Sequence, residues 1–225
     1  MANLILVMGK SGTGKSTAIR TLDPTKTLII SVLDKILPFK GAKKLYNKEN
    51  KNLYRISNYN SVMMYIKGAS DKLKNVTNII IDDATYLMRN ELFEKSNQKG
   101  YDKFVEIAKN FRNLLILIPS LRDDINVFLI MHSEDVNNGS DIDSYKCSTV
   151  GKMVDEKFNP LECVTVCLYS DIKFNSGTPE YGFYTNATQV HGKLIPAKSP
   201  DGMFDELFVP NDFKLISEKI NEYYN

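Results

Sequence analysis

The glycine-rich segment Gly9–Ser16, with the apolar run Leu4–Met8 before it, constrains this chain more than any other stretch. It matches the phosphate-binding pattern G-x-x-x-x-G-K-[ST] through Gly9, Lys10, Ser11, Gly12, Thr13, Gly14, Lys15 and Ser16. Glycines let the backbone wrap an anion with successive N–H groups pointing at it. The preceding run is typical of a buried strand, and Ser16–Leu22 is typical of the first turns of a helix. The alternative is a glycine turn that binds nothing, but four fixed positions and both flanks favour a nucleotide-binding loop.

The loop residues have distinct predicted roles. Lys15 is expected to reach the β- and γ-phosphates of a nucleotide, and the Ser16 hydroxyl is expected to bind Mg²⁺. The rest of the segment, extended to Thr17, is expected to surround the phosphates. The positive end of the helix dipole adds to the attraction for an anion there.

The strand-like run Val76–Asp83 provides the partner of this loop. Its isoleucines end in two carboxylates, Asp82 and Asp83. Open α/β sheets bind ligands at the carboxyl ends of their strands, so Asp82 is predicted to hold Mg²⁺ together with Ser16. The alternative is that Asp82 only caps a helix predicted over Ala84–Leu92.

Short apolar runs bounded by turn residues predict an α/β fold with a mostly parallel central sheet flanked by helices. Further strands are predicted over Thr27–Leu33, Leu53–Ile56, Asn126–Met131 and Cys163–Tyr169. Helices are predicted over Val62–Leu73, Tyr101–Ile118 and Phe213–Tyr224. A turn at Asn175–Thr178 predicts a β-hairpin that returns through Tyr181–Thr185.

Two segments beside the predicted strands carry weaker signals. His132 follows the strand Asn126–Met131, where a polar side chain could face the γ-phosphate and sense it. A structural histidine is an equal alternative. The segment Asn137–Tyr145 is rich in Asn, Gly, Ser and Asp, so it is predicted to be a mobile loop.

Composition indicates one sizeable α/β domain and leaves the partner open. The chain has 225 residues, 43% of them hydrophobic and 25% charged, which is ordinary for a globular protein. A net charge of +2 is too small to indicate nucleic acid by itself. One basic segment contains Lys35, Lys40, Lys43, Lys44, Lys48, Lys51 and Arg55. A solvated loop is favoured there over DNA contact, since no basic–aromatic pattern marks a platform for stacking bases.

The cysteines and the N-terminus point to a reducing compartment. Cys147, Cys163 and Cys167 form an odd set without C-x-x-C spacing. Cys163 and Cys167 lie four apart in a predicted strand, so they are expected to share one face as small apolar residues. The N-terminal apolar run is too short to span a membrane and follows no basic region. A cytoplasmic protein that does not contact membranes is therefore expected.

Seven segments together resemble one family. They are Gly9–Thr17, Ile79–Leu87, Lys103–Ile118, Leu121–Glu134, Thr149–Lys157, Lys198–Phe204 and Val209–Asp212. With them the chain resembles the phage-encoded P-loop ATPases with a RecA-like core, AAA-family ATP-binding proteins of which one branch acts in single-strand annealing recombination. The loop and the Asp82 strand alone would be generic, and Gly151-Lys152 and Gly202-Met203-Phe204 point to this group.

The resemblance implies a single RecA-like domain over residues 1–225, with a C-terminal β-hairpin and a terminal helix. In this fold Val127–Met131 separates the loop strand from the strand that carries Asp82. The resemblance implies ATP and Mg²⁺ as ligands and ATP hydrolysis as the activity. It further implies single-stranded DNA as a partner, a ring or filament of identical copies, and a phage single-strand-binding protein as a further partner, in the host cytoplasm.

The resemblance leaves the water-activating carboxylate open. RecA-like enzymes carry it after the strand that follows the first helix, which corresponds to Asp34. Other ATPases of the wider class carry it next to the Walker B aspartate, which corresponds to Asp83. Both positions hold Asp where Glu is usual, so slow hydrolysis is expected, and Asp83 is favoured because its strand is better defined. Lys152 is a candidate cationic finger for a neighbour's γ-phosphate, with a DNA contact or a plain surface lysine as the stronger alternatives.

Two other classes of function fit a phosphate loop. A nucleotide or small-molecule kinase would use the loop for phosphoryl transfer, but a kinase lid needs arginines, and Arg122 is the last arginine of the chain. A non-hydrolysing, ATP-dependent assembly or loading factor is compatible with the missing glutamate.

Overall fold

The computed structural model describes residues 1–139, 141–151, 153–154 and 158–224. Its strands are β1 (Asn3–Gly9), β2 (Thr27–Ser31), β3 (Leu53–Arg55), β4 (Asn78–Asp82), β5 (Asn126–Asn138), β6 (Asp141–Cys147), β7 (Val166–Asn175), β8 (Thr178–Tyr184), β9 (Thr188–Val190), β10 (Lys193–Ile195) and β11 (Phe208–Pro210). Its helices are α1 (Ala42–Leu45), α2 (Tyr59–Lys72), α3 (Thr85–Glu94), α4 (Asp102–Leu117) and α5 (Phe213–Tyr224), with 3₁₀ turns at Ser16–Thr21, Ile118–Ser120 and Pro160–Cys163. Among the described residues, no helix has the length and apolar character needed to cross a membrane.

The central sheet runs in the order β11-β8-β7-β1-β5-β4-β2-β3. The strands from β7 to β3 are parallel, and β8 and β11 add antiparallel pairs at one edge. β1 lies between β7 and β5, and β5 separates it from β4, which carries Asp82. The predicted α/β class, with its RecA-like sheet, C-terminal hairpin and terminal helix, is therefore confirmed.

β1 is buried on both faces because its side chains alternate between two apolar cores. One core contains residues of α2, α3 and α4 together with Leu4, Leu6 and Met8. The other contains residues of α5 and the first 3₁₀ turn together with Ile5 and Val7. The loop that follows β1 therefore starts from a strand held on both sides.

β5 is longer than the sequence predicts. It does not end near Met131 but continues to Asn138 and pairs antiparallel with β6, which in turn pairs with β10. The prediction of a loop over Asn137–Tyr145 is therefore wrong for the strand residues described in this segment, Asn137–Asn138 and Asp141–Tyr145, while Ser140 lies outside the described residues. Its polar side chains concealed these strands, because the pairing of β5 with β6 is made between backbones and needs no apolar run.

Two predictions about the C-terminal strands have opposite outcomes. Ser176 and Gly177, with φ angles of 49° and 83°, form the turn between β7 and β8, so the predicted hairpin is confirmed. The predicted strand start at Cys163 is wrong, because a 3₁₀ turn occupies Pro160–Cys163 and β7 starts later. Cys163 is exposed while Cys167 is buried, so the two do not share an apolar face.

Candidate functional site

The phosphate loop joins β1 to a 3₁₀ turn at Ser16–Thr21, where the sequence predicts the first turns of a helix. The Ala18 N–H is shared between the carbonyls of Gly14 and Lys15, at 3.2 and 3.3 Å. Gly12 and Gly14 adopt left-handed φ angles of 86° and 93°, which glycine takes without steric cost. The backbone therefore curves as an anion-binding loop requires.

Two residues far along the chain hold this loop in place. Ser170 on β7 donates its hydroxyl hydrogen to the Thr13 carbonyl at 2.8 Å. Asn211, which follows β11, donates to the Gly14 carbonyl at 3.0 Å and accepts from Arg20 at 2.6 Å. The hairpin and the tail therefore fix the shape of the loop from outside it.

Lys15 is buried and folds back over its own loop. Its ammonium donates to the carbonyls of Gly9 and Lys10, at 2.8 and 2.6 Å. Burial lowers the pKa of Lys15 to about 8, although the nearby Asp83 and Asp82 act in the opposite direction. The cation is thus held by neutral oxygens only, and a phosphate would provide a stronger partner.

Asp82 ends β4 and is completely buried. One of its carboxylate oxygens accepts the Ser16 hydroxyl at 2.7 Å, while Oδ2 has no hydrogen-bond partner in the described part of the chain. Burial and the neighbouring charge of Asp83 raise the pKa of Asp82 to about 6. An unpartnered buried carboxylate oxygen beside a hydroxyl suits a hard cation such as Mg²⁺. The residues present therefore fit the predicted metal ligands.

Asp83 lies one residue beyond β4 and has a left-handed φ of 59°. Its carboxylate forms an ion pair with Lys35 and lies 3.3 Å from Nε2 of His132. Burial alone would raise the pKa of Asp83, but the hydrogen bonds and charges of His132 and Lys35 outweigh it and hold the pKa below its usual value. Asp83 is therefore ionised and already occupied.

His132 is positioned by the elements around it. It lies on β5 opposite Gly9 of β1. Its backbone N–H donates to the Thr85 hydroxyl at 2.9 Å, and its ring packs edge-on against Tyr86 with centroids 5.9 Å apart. The structure thus brings His132 to Asp83 at the start of the phosphate loop.

Asp34 lies away from this cluster. Its side chain is 82% exposed and pairs with Arg55. The adjacent Lys35 reaches Asp83 instead. The sequence grouped Lys35 only with other surface lysines, and no motif could have identified it, because the contact joins loops that follow two different strands.

These groups line a cleft of about 480 Å³. Besides the loop, Lys35, Asp83 and His132, it is lined by Arg20, Pro38, Tyr181 and Asn211. No sequence motif predicts Arg20 or Tyr181 as cleft residues. Asn211 lies in Val209–Asp212, one of the segments that carry the family resemblance, and this was the only indication of its role.

Lys10 belongs to the phosphate loop but does not line the cleft with its side chain. Lys10 turns its ammonium towards the β5–β6 hairpin, 2.8 Å from Asp135, so its contribution to the loop is its backbone. Lys152, the candidate finger, lies outside the described residues.

A phosphate loop on the central strand of a RecA-like sheet, facing a buried carboxylate on the next strand but one, defines a P-loop nucleotide-binding protein. The family model described as the AAA domain matches residues 1–198, and the chain belongs to this family of P-loop ATPases. A search of curated proteins finds no match. Among solved structures, the chain is similar to a KaiC-like protein from the hyperthermophilic archaeon Pyrococcus horikoshii OT3, at 10% identity over 86% of this chain and 88% of that one, with a TM-score of 0.48.

Proposed function

We propose that this protein binds ATP with Mg²⁺ and hydrolyses it, as an ATPase of phage DNA annealing or recombination that single-stranded DNA stimulates. The observation that carries the hydrolysis is the convergence of Lys15, Ser16 and Asp83 on one cleft, with the buried Asp82 hydrogen-bonded to Ser16 behind it. The DNA partner and the phage setting are supported by the resemblance of the motif segments.

Binding rests on groups that are now satisfied only weakly. The Lys15 ammonium contacts two neutral carbonyls, so a phosphate oxygen offers it a charge-assisted hydrogen bond instead. The Ser16 hydroxyl, which now donates to Asp82, would turn an oxygen lone pair towards the cation. Ser16 and Asp82 would hold Mg²⁺, which would supply charge neutralisation at the phosphate oxygens.

Asp83 is placed to activate water, but its partners restrain it. A carboxylate with a lowered pKa accepts a proton weakly, so basal turnover is slow. Lys35 also lines the cleft, so a γ-phosphate competes with Asp83 for its ammonium. Each phosphate that draws the ammonium away loosens its hold on Asp83, and His132 stays beside the carboxylate.

The same restraint favours a second candidate, an ATP-dependent loading factor that binds nucleotide without turning it over. The specific observation is the ion pair that Lys35 makes with Asp83. Rapid-mixing measurement of a single turnover separates the two, since the factor would release no phosphate in that turnover.

We also propose that copies of the chain assemble into a ring or filament on the strand. Light scattering with ATP and a single-stranded oligonucleotide measures the mass. A mass equal to one chain under those conditions would count against assembly.

The test of the proposed function is ATP turnover with and without a single-stranded oligonucleotide, beside a gel shift at low salt, where phosphate contacts are strongest. Stimulated turnover and a shifted band are expected. The absence of both the stimulation and the shift would contradict a DNA-dependent ATPase. Phosphate transfer to nucleosides or nucleoside monophosphates would indicate a kinase instead.

A further inference from the structure

A second cleft, of about 470 Å³, lies at the edge of the sheet formed by β3, away from the phosphate loop. We call it the β3 groove. The side chains that matter to the inference are Lys43, Lys48, Tyr54, Arg55 and Tyr65. Of the described residues that line it, none is acidic.

The charge around the β3 groove is strongly one-sided. Between residues 34 and 55 the sequence has seven lysines and arginines against two acids, Asp34, which pairs with Arg55, and Glu49. Within the described part of the chain, no ion pair neutralises the ammonium groups of Lys40, Lys43, Lys44, Lys48 and Lys51. Such a concentration of like charge attracts an extended polyanion.

Two aromatic rings stand among these cations. Tyr54 of β3 and Tyr65 of α2 pack with ring centroids 4.9 Å apart, and Tyr65 remains 37% exposed. The sequence showed no basic–aromatic pattern because the fold brings Tyr65 from a different element to the lysines of the loop. Cations beside an accessible ring are the combination that binds unpaired bases and their phosphates.

We propose that the β3 groove binds a single-stranded nucleic acid, with phosphates on Lys43 and Lys48 and a base stacked on Tyr65. The single-stranded partner is taken from the proposed function. What is new here is the surface that would contact it. A duplex keeps its bases stacked inside, so it cannot use the ring.

Lys35 connects this groove to the site of hydrolysis. It lines both clefts and pairs with Asp83. A strand phosphate at the near end of the β3 groove competes for the Lys35 ammonium and loosens its hold on Asp83. Occupancy of the groove therefore stimulates turnover.

The test is fluorescence anisotropy of a labelled oligothymidylate, titrated with full-length protein at several salt concentrations. Lys43→Ala/Lys48→Ala should weaken binding and reduce the slope of log K against log salt by about 1.4, since each single-strand phosphate contact contributes roughly 0.7. Tyr65→Ala should weaken binding about fivefold or more, while Tyr65→Phe, which keeps the ring, should bind like wild type.

The matched controls are Lys99→Ala/Lys109→Ala and Phe93→Ala, which remove exposed lysines and an exposed ring outside the groove. They should leave affinity unchanged, and circular dichroism melts establish that every variant folds. The groove variants should also keep basal ATP turnover and lose stimulation by the strand. An oligouridylate arm distinguishes RNA from DNA as the strand.

Three results separate the failures. Groove variants that bind like wild type overturn the groove and leave the proposed function intact. If the lysine variant loses affinity for the oligonucleotide but Tyr65→Ala keeps it, the proposal is also overturned, because the groove would then bind anions without contacting bases. A wild-type protein that binds neither oligonucleotide contradicts the DNA partner of the proposed function itself.

Discussion

Asp83 combines a left-handed backbone with a carboxylate held between a lysine and a histidine. A positive φ is uncommon outside glycine, although aspartate tolerates it better than most residues. The conformation turns the carboxylate away from the Asp82 site and towards Lys35 and His132. The two adjacent acids are both buried but have different partners, the Ser16 hydroxyl for Asp82 and the Lys35 and His132 side chains for Asp83.

The substitution Asp83→Asn should lower ATP turnover about 10²- to 10⁴-fold, the range that a general base contributes. Nucleotide binding should persist, because the phosphate loop is untouched. Phosphate release and titration with a fluorescent ATP analogue measure the two effects. Asp34→Asn is the matched control, and a loss of hydrolysis in that variant instead would place the base at Asp34.

The lowered pKa of Lys15 leads us to expect that nucleotide binding is coupled to proton uptake. Its pKa is about 8 in the nucleotide-free protein, and a phosphate next to the ammonium raises it. Between pH 8 and the ordinary lysine value of 10.5, nucleotide binding should therefore take up a proton. Calorimetry in two buffers of different ionisation enthalpy measures the uptake. Lys15→Arg cannot release its proton, so uptake that persists in this variant would assign it to another group.

The same pKa has a consequence for stability. Between pH 8 and 10.5 the unfolded chain holds the Lys15 proton and the folded chain has lost it, so this site adds stability as the pH rises. Denaturant titrations of wild type and Lys15→Met across that window measure the effect. The stability of wild type should rise relative to that of the variant, and a constant difference would contradict the assignment.

At the residue scale, the sequence identifies those site residues that belong to a short motif. Lys15, Ser16 and Asp82 occupy motif positions, and the structure places them together. Lys35 and Tyr181 enter the cleft from loops and strands distant in sequence, so their roles depend on tertiary packing that no local spacing records.

At the scale of elements, the phosphate loop is held by the segments around it. Lys10 joins the loop to the β5–β6 hairpin through Asp135, and its ammonium lies 5.3 Å from the centre of the Tyr145 ring. On the other side, Asn211 ties the loop to the tail and to Arg20. The loop is therefore anchored by the β5–β6 hairpin, by Ser170 of β7 and by the tail after β11.

Asn211→Ala tests the anchor in the tail. Asn211 is buried, and its truncation removes the side-chain hydrogen bonds to the Gly14 carbonyl and from the Arg20 guanidinium, while the backbone contacts of both groups remain. The free energy of unfolding should fall by about 1–3 kcal/mol, and ATP affinity should fall with it. Denaturant titration and nucleotide binding measure both. Asn60→Ala, at an exposed position of α2, is the control, and equal stability of the two variants would contradict the anchoring role.

Apolar pattern predicts the elements well where they are buried and poorly where they are not. The stripes of α4 and α5 locate both helices to within a residue or so. The β5–β6 hairpin is missed because its strands are polar, and the strand start at Cys163 is misplaced because nearby apolar residues belong to a 3₁₀ turn.

At the scale of the whole molecule, strand order explains why the motifs converge. β5 lies between the strand that leads into the phosphate loop and the strand that ends in Asp82, so it brings His132 to both. Parallel strands present all these residues at one edge of the sheet. The fold class could be predicted because each buried strand shows an uninterrupted apolar run, whereas the β3 groove could not, because it needs the packing of α2 against the sheet edge.

The measurement that tests the central claim most directly is Mg²⁺-dependent phosphate release from ATP by wild type and Lys15→Ala, with and without a single-stranded oligonucleotide. Wild type should hydrolyse ATP slowly alone and faster with the strand, and Lys15→Ala should show no turnover in either condition. Full activity in Lys15→Ala would show that the phosphate loop is not the site of hydrolysis.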